Sequence, residues 1–229
     1  MSGVAARLLR PASQETYEKV FGMVYVGLMS NVLLAVSCAP LLLALVIVRD
    51  PFASWPFFVV LSGFCAPALA GVFGCFAALD ERVVWRPFVT AYRRAFGRAL
   101  AVWFAGAAVL VVLGLDAVVV SRTAWGPAVA PFFVTAAVLV VATVVAVILV
   151  AATATASDSG TARLRGLVWP CLCLVARRWY LAVANAAVLG LAVAAVLLQP
   201  VAGLLVACAP LLYVVFGNTR AIVAPLSER

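Results

Sequence analysis

The chain has 229 residues, of which 67% are hydrophobic and only 10% are charged, and its mean hydropathy is +1.21. Soluble domains contain about 45–50% apolar and about 25% charged residues, so this composition excludes a soluble enzyme, a secreted disulfide scaffold and a disordered regulator. We expect an all-α integral membrane protein. One lysine and 15 arginines against eight acidic residues give a net charge of +8, which in a membrane protein indicates topology rather than nucleic-acid binding.

Six apolar runs are long enough, at about 18 or more residues, to cross a bilayer and form a six-helix transmembrane bundle. In chain order, we predict spans at about 20–48, 55–79, 99–121, 128–155, 180–198 and 201–217. The last two share one nearly continuous apolar stretch, which as a single helix would reach about 57 Å, nearly twice the hydrocarbon core of about 30 Å. Gln199 and Pro200 are its only polar break, and proline removes a helix donor, so we predict a tight hairpin there.

The distribution of basic residues gives the expected orientation. If the N-terminus is cytoplasmic, six spans place 14 of the 16 basic residues inside and leave only Arg49 and Arg122 outside. Basic residues accumulate on the cytoplasmic side of membrane proteins. We therefore predict a multi-pass protein of the bacterial cytoplasmic (inner) membrane, in contact with the lipid bilayer, with both termini in the cytoplasm.

Two cytoplasmic segments, 80–98 and 163–179, combine basic and aromatic residues, and we call them the first and second collar. They match at an offset of 84 residues, so that Trp85, Arg93, Arg94 and Phe96 align with Trp169, Arg177, Arg178 and Tyr180. Each collar precedes two spans, so the two copies have the same orientation, as in a parallel internal repeat. The match is sparse, and duplication and coincidence both remain open.

The first collar has helical order. At about 100° per residue, Phe88, Tyr92 and Phe96 fall within an arc of about 80°. The opposite side carries Arg82, Arg86, Arg93, Arg94 and Arg98. This pattern predicts an amphipathic helix lying in the membrane interface, with rings among the acyl chains and guanidinium groups at the phosphates. Both collars, including Arg177 and Arg178, are interpreted as membrane anchors or, alternatively, as docking surfaces for a partner.

Few polar residues lie within the predicted spans. Asp116 is the only charged one, near the outer end of the third span, where its carboxylate can reach the interface or pair with Arg122; the alternative is proton or ion coupling. Asn31, Asn185 and Asn218 are interpreted as interhelical hydrogen-bonding groups. They would form a polar route for a solute only if they faced one cavity.

Catalytic chemistry has no visible basis in this sequence. Histidine is absent, which removes the commonest metal ligand and the best proton-transfer group near neutral pH. The six cysteines lie in or beside apolar runs, as small hydrophobic residues do, at positions 38, 65, 75, 171, 173 and 208. We expect no enzyme, no cofactor and no metal site.

Three segments resemble the YesL-like family, a bacterial membrane domain of unknown function. They are Tyr17–Pro40 with Asn31, the small-residue stretch Ala66–Phe73, and the aromatic-basic segment Trp85–Arg98. The likeness extends over about Tyr17–Arg220, although Phe64-Cys65 replaces the threonine-glycine step that usual members have. The resemblance implies an accessory role beside ABC-type carbohydrate uptake systems and carries over no catalytic or binding residue.

Three functional hypotheses follow from these patterns. The first is a non-enzymatic accessory protein that associates with other membrane proteins, such as ABC permease subunits, or with itself. The second is a small solute transporter or channel lined by Asn31, Asn185 and Asp116. A membrane enzyme acting on lipid is the least supported, because acid–base residues are missing. No nucleic-acid partner is expected.

Overall fold

The computed structural model describes residues 14–48, 53–79, 83–153, 164–199 and 203–227, and all regular structure within them is helical. The helices are α1 Gln14–Ser37, α2 Ala39–Ile47, α3 Trp55–Ser62, α4 Cys65–Ala77, α5 Trp85–Ser121, α6 Gly126–Thr153, α7 Leu164–Arg177, α8 Trp179–Leu198 and α9 Cys208–Ser227, with a π-helix at Gly203–Ala207 before α9. Collar residues 80–82 and 163, the span ends at 154–155 and 201–202, and Arg49 lie outside the described residues.

The all-α class of the prediction is confirmed. In the described part of the chain, five helical segments are long and apolar enough to cross a membrane: Trp55–Ala77, Trp85–Ser121, Gly126–Thr153, Trp179–Leu198 and Gly203–Leu226. A sixth exists if the pair α1 and α2, which is bent by 62° at its junction, counts as one span. The apolar stretch at the C-terminal end is interrupted where the sequence indicates, since α8 ends at Leu198 and Gln199 has an extended backbone with φ −142° and ψ 91°.

Two of these spans are broken near a proline. Cys38 separates α1 from α2, and Pro40 is the second residue of α2. Gly63 and Phe64 separate α3 from α4, and Pro67 is the third residue of α4. A proline has no N–H to donate to the carbonyl four residues earlier. The backbone ladder is therefore interrupted at both places, which accounts for the breaks.

The first collar and the third span form one helix rather than two. Helix α5 has 37 residues, about 55 Å at 1.5 Å per residue, and it begins at Trp85 instead of near residue 99. Pro87 lies in its first turn, where a missing N–H costs nothing, and no proline follows within the helix. A separate interfacial helix over residues 85–98 is thus not formed, because nothing in the sequence ends the helix at the junction.

The core forms where small residues of α4 meet α5. An ideal Cβ on Gly71 would lie 2.7 Å from the Phe88 ring, and one on Gly74 would lie 2.5 Å from Cβ of Ala91. Small residues allow such close approach of helices in a membrane protein. On its other side α4 contributes Phe76 to an aromatic cluster with Tyr213 and Phe216 of α9, with ring centroids 5.3 and 5.8 Å away.

The hairpin of α5 and α6 extends beyond this core. Residues 142–149 of α6 are all buried, and so is Gly106 of α5. By contrast, residues 107–121 of α5 and 127–141 of α6 include no buried residue. Over its 18 most apolar residues α5 is only 6% buried, whereas α6 is 44% buried. The C-terminal half of α5 therefore contacts little protein other than α6.

Candidate functional site

Asn31 joins α1 to the π-helix. Its side chain is 2% exposed, and its Nδ2 donates a hydrogen bond to the carbonyl oxygen of Leu205 at 2.8 Å. The π-helix has a wider turn than an α-helix and often occurs at functional positions. Asn31 also lines a mostly apolar cavity of about 540 Å³ that includes Gly27, Phe76 and Tyr213. Asn31 therefore connects helices, as the sequence predicted for the amides, and borders a cavity that opens between α1 and α9.

Asn185 makes a second, independent connection between helices. It is 1% exposed on α8, and its Nδ2 donates to the hydroxyl oxygen of Thr219 on α9 at 2.9 Å. Thr219 is itself fully buried. Asn218 precedes it and is half-buried, so its side chain leaves α9 about 100° away from the Asn185 contact.

The two buried amides do not line a common route. Asn31 contacts residue 205 and Asn185 contacts residue 219 of the same helical segment. Those positions are separated by 14 residues, about 20 Å along the axis. Asn185 and Asp116 are not among the residues that line the cavity at Asn31. In the described residues, the arrangement thus gives no support to a solute path through all three.

Asp116 lies on the exposed C-terminal half of α5. Arg122 follows the helix end, six residues later, and its side chain leaves about 120° away around the helix. The expected ion pair between Asp116 and Arg122 is not found in the part of the chain that the structure describes. The two side chains leave α5 in different directions, which does not favour the pairing.

Asp116 shares one face of α5 with exposed apolar residues. At about 100° per residue these side chains fall within an arc of about 100°. All are exposed, and we call this set the Asp116 face: Ala105, Ala108, Val109, Val112, Asp116 and Val119. The face combines small residues at one end with a carboxylate at the other, and the nearest helix, α6, lies on a different side of α5.

Phe88, on the aromatic side of the first collar, packs against protein rather than lipid. Phe88 is 4% exposed and lies over Gly71 of α4. Tyr92 and Phe96 are half-buried, and the three rings form a row with centroid distances of 6.0 and 5.6 Å. The expectation that Phe88 inserts among acyl chains is wrong, because the absence of a side chain at Gly71 leaves room for its ring.

The four arginines of the first collar that the structure describes lie away from the core, as the helical pattern predicts. Arg86, Arg93 and Arg94 are exposed, and Arg98 is half-buried. The guanidinium carbon of Arg86 lies 5.6 Å from the centre of the Trp85 ring, within reach of a cation–π contact. These positions leave both the anchoring and the docking interpretation open for the basic side.

The second collar differs from the first although their sequences match. Helix α7 ends at Arg177, and Arg178 has φ −112° and ψ 45°, so α8 begins afresh at Trp179. A guanidinium nitrogen of Arg178 donates a hydrogen bond to the carbonyl oxygen of Ala221 in α9. Arg178 therefore holds two helices of the chain together, whereas the neighbouring Arg177 is exposed.

Sequence reasoning missed several polar contacts because their partners are distant in the chain. Thr219 was not predicted as the partner of Asn185, and the indole nitrogen of Trp103 donates to the hydroxyl of Ser62 at 3.2 Å. The sulfur atoms of Cys38 and Cys65 lie 3.2 Å apart. The signals in the sequence are Pro40 and Pro67, which indicate that a helix is interrupted near each of the two cysteines.

The described residues contain no cluster of three or more side chains that could hold a metal ion. The described residues form a polytopic all-α membrane protein with buried polar contacts between helices and an exposed face that carries Asp116. No protein-family model, no curated protein and no solved structure matches the chain.

Proposed function

We propose that this chain is a non-enzymatic accessory protein of a membrane transport system, of the YesL-like type, which binds a permease subunit through the Asp116 face. The observation that carries the proposal is the exposure of this face on the least buried span. Ionisable residues within transmembrane segments generally mark functional positions and have partners. Asp116 has none within the described chain, so a neighbouring protein is the natural source of one.

The chemistry of the face indicates what kind of helix fits it. Ala105 and Ala108 permit a close approach of backbones, and the valines of the face provide van der Waals contact. The carboxylate of Asp116 needs a hydrogen-bond donor. We therefore expect the partner to have a transmembrane helix with a hydrogen-bond donor at the same depth in the membrane as Asp116. The donor would be an arginine, a lysine, or a side chain with an amide or hydroxyl group.

The internal polar groups support association rather than transport by this chain alone. The Asn185 amide is used for a hydrogen bond within the bundle, and the amide of Asn31 is bonded to the π-helix. The cavity at Asn31 is bordered mainly by apolar residues. Interhelical bonds of this kind stabilise a bundle and do not require a permeating solute.

Co-purification from the native host tests the proposal. Replacing exposed Ala105 with tryptophan adds bulk to the Asp116 face, and the same replacement of exposed Ala187 on α8 is the matched control. We expect the Ala105→Trp variant to insert normally and to lose at least tenfold in the recovery of a permease subunit. Equal recovery with both variants and the parent protein would contradict the proposal.

A further inference from the structure

Two cysteines meet where two broken spans touch. The Sγ atoms of Cys38 and Cys65 lie 3.2 Å apart, although the residues are 27 positions apart in the chain. Cys38 is the residue between α1 and α2, and Cys65 is the first residue of α4, directly after the break that follows α3. The contact therefore joins the two interruptions that the prolines introduce.

The other cysteines have different surroundings. Cys75, ten residues after Cys65 on the same helix, donates from its sulfur to the carbonyl oxygen of Val84 at 3.4 Å. Cys171 and Cys208 are buried, and Cys173 is exposed. All six thiols are free. Among the described residues, Cys38 and Cys65 are the cysteines whose sulfur atoms are in contact, and this distinguishes them from a set of small hydrophobic residues.

We propose that Cys38 and Cys65 form a covalent modification site, a thiol pair that is oxidised to an intramolecular disulfide by a membrane-soluble quinone. The two S–H bonds break and one S–S bond forms. Two electrons and two protons pass to the quinone, which leaves as the quinol. A disulfide has sulfurs about 2.05 Å apart, so the pair must close by about 1.1 Å from its present 3.2 Å.

The surroundings of the pair determine the kind of oxidant. Cys38 is 5% exposed and Cys65 is half-buried, within segments that are apolar enough to cross a membrane. Water-soluble oxidoreductases do not reach such a site, whereas a quinone dissolved in the hydrocarbon does. The neighbouring Phe64 is 42% exposed, which places the break after α3 next to the surface of the bundle.

Oxidation would fix the relative position of the two breaks. In the thiol form, α1 and α2 can change their 62° bend independently of the break between α3 and α4. The disulfide ties these two points together, which limits the conformations of the first two spans. This property is separate from the Asp116 face, which is on α5, and does not depend on the proposed partner.

Thiol counting with peptide mapping tests the proposal. The full-length protein, reconstituted in vesicles, is treated with duroquinone, a fully substituted benzoquinone that cannot alkylate thiols, and is then denatured and labelled with N-ethylmaleimide. We expect the number of labelled cysteines to fall from six to four and a linked peptide to join positions 38 and 65. Dithiothreitol should restore all six, and the thermal unfolding midpoint should rise after oxidation.

Conservative variants serve as controls. Cys38→Ser and Cys65→Ser should each retain five labelled cysteines after oxidation, and the matched variant Cys75→Ser should still form the linked peptide. If all six cysteines are still labelled after duroquinone and also after diamide, the site is overturned. If the linked peptide forms with diamide but not with duroquinone, the quinone is overturned as the electron acceptor. If the link involves any other cysteine, the pairing of Cys38 with Cys65 is overturned.

Discussion

The more apolar half of α5 is the half with less protein around it: residues 85–106 include four arginines, whereas residues 107–121 include one charged residue, Asp116. Residues 85–106 pack against α6 and against α4 with its glycines, whereas residues 107–121 contain no buried side chain. The difference shows that the hydrophobicity of a membrane helix does not tell where protein contacts it. It is the small residues on the neighbouring helix, Gly71 and Gly74, that make the N-terminal half a buried interface.

The largest expected effect concerns the orientation of α5, because a reporter fused to the chain lies either in the cytoplasm or on the opposite side of the membrane. From the positive-inside rule we predict that the N-terminal half faces the cytoplasm and the C-terminal half the opposite side. Reporter fusions after Arg98 should give a cytoplasmic signal, and fusions at Trp125 should give the signal of the opposite side. A cytoplasmic signal at Trp125 would break the six-span topology.

A larger side chain at Gly74 should destabilise the contact between α4 and α5 strongly. Its Cβ would lie 2.5 Å from Cβ of Ala91 and 3.1 Å from the carbonyl oxygen of Pro87, so α5 must shift away from α4 to accommodate it. We expect Gly74→Leu to lose about 3 kcal/mol of stability or more, measured by thermal unfolding in detergent. The matched control is Gly114→Leu on the exposed half, where the added Cβ meets nothing within 4 Å; equal unfolding of both variants would contradict this comparison.

The hydrogen bond between Asn185 and Thr219 should contribute a moderate amount. Interhelical side-chain bonds in membrane proteins couple by about 0.6 kcal/mol on average and by about 1.7 kcal/mol at most. A double-mutant cycle of Asn185→Ala and Thr219→Ala should give a coupling in this range. Pairing Asn185→Ala with Thr135→Ala should give none, because the Thr135 hydroxyl bonds only the Pro131 carbonyl of its own helix.

Asp116 should affect folding least. It is exposed, and even a charge at the centre of a membrane helix costs only about 2.5–3.5 kcal/mol on the insertion scale. We expect Asp116→Asn to change unfolding stability by less than about 0.5 kcal/mol while reducing recovery of the partner. If Asp116→Asn leaves the recovery of the partner unchanged, the carboxylate takes no part in docking. If the variant is expressed normally but loses solute flux in vesicles, ion coupling is favoured instead.

The sequence predicts those features that depend on local composition. Apolar length indicates the membrane-spanning segments, and the Gln199-Pro200 step indicates the interruption before the last helix. The aromatic spacing correctly places Phe88, Tyr92 and Phe96 on one side of a helix. It does not tell whether that side meets lipid or protein, because the answer depends on Gly71, a residue 17 positions away.

The remaining features depend on contacts between distant residues. The two collars share a pattern, yet the first continues into a span and the second breaks at Arg178, which bonds the backbone of Ala221. Nothing near Arg178 in the sequence predicts that contact. The partners of Asn31 and Asn185, and the meeting of Cys38 with Cys65, likewise require the packed bundle.

Site-specific photocrosslinking in native membranes tests most directly whether the exposed half of α5 binds another protein. A photoreactive phenylalanine analogue replaces Val112 on the Asp116 face, and the matched control replaces Val193 on α8; the two valines are 56% and 57% exposed. We predict that position 112 yields an adduct with a permease subunit, lost in the Asp116→Asn background, whereas position 193 yields lipid adducts alone. Lipid adducts alone at both positions would contradict the proposed docking surface.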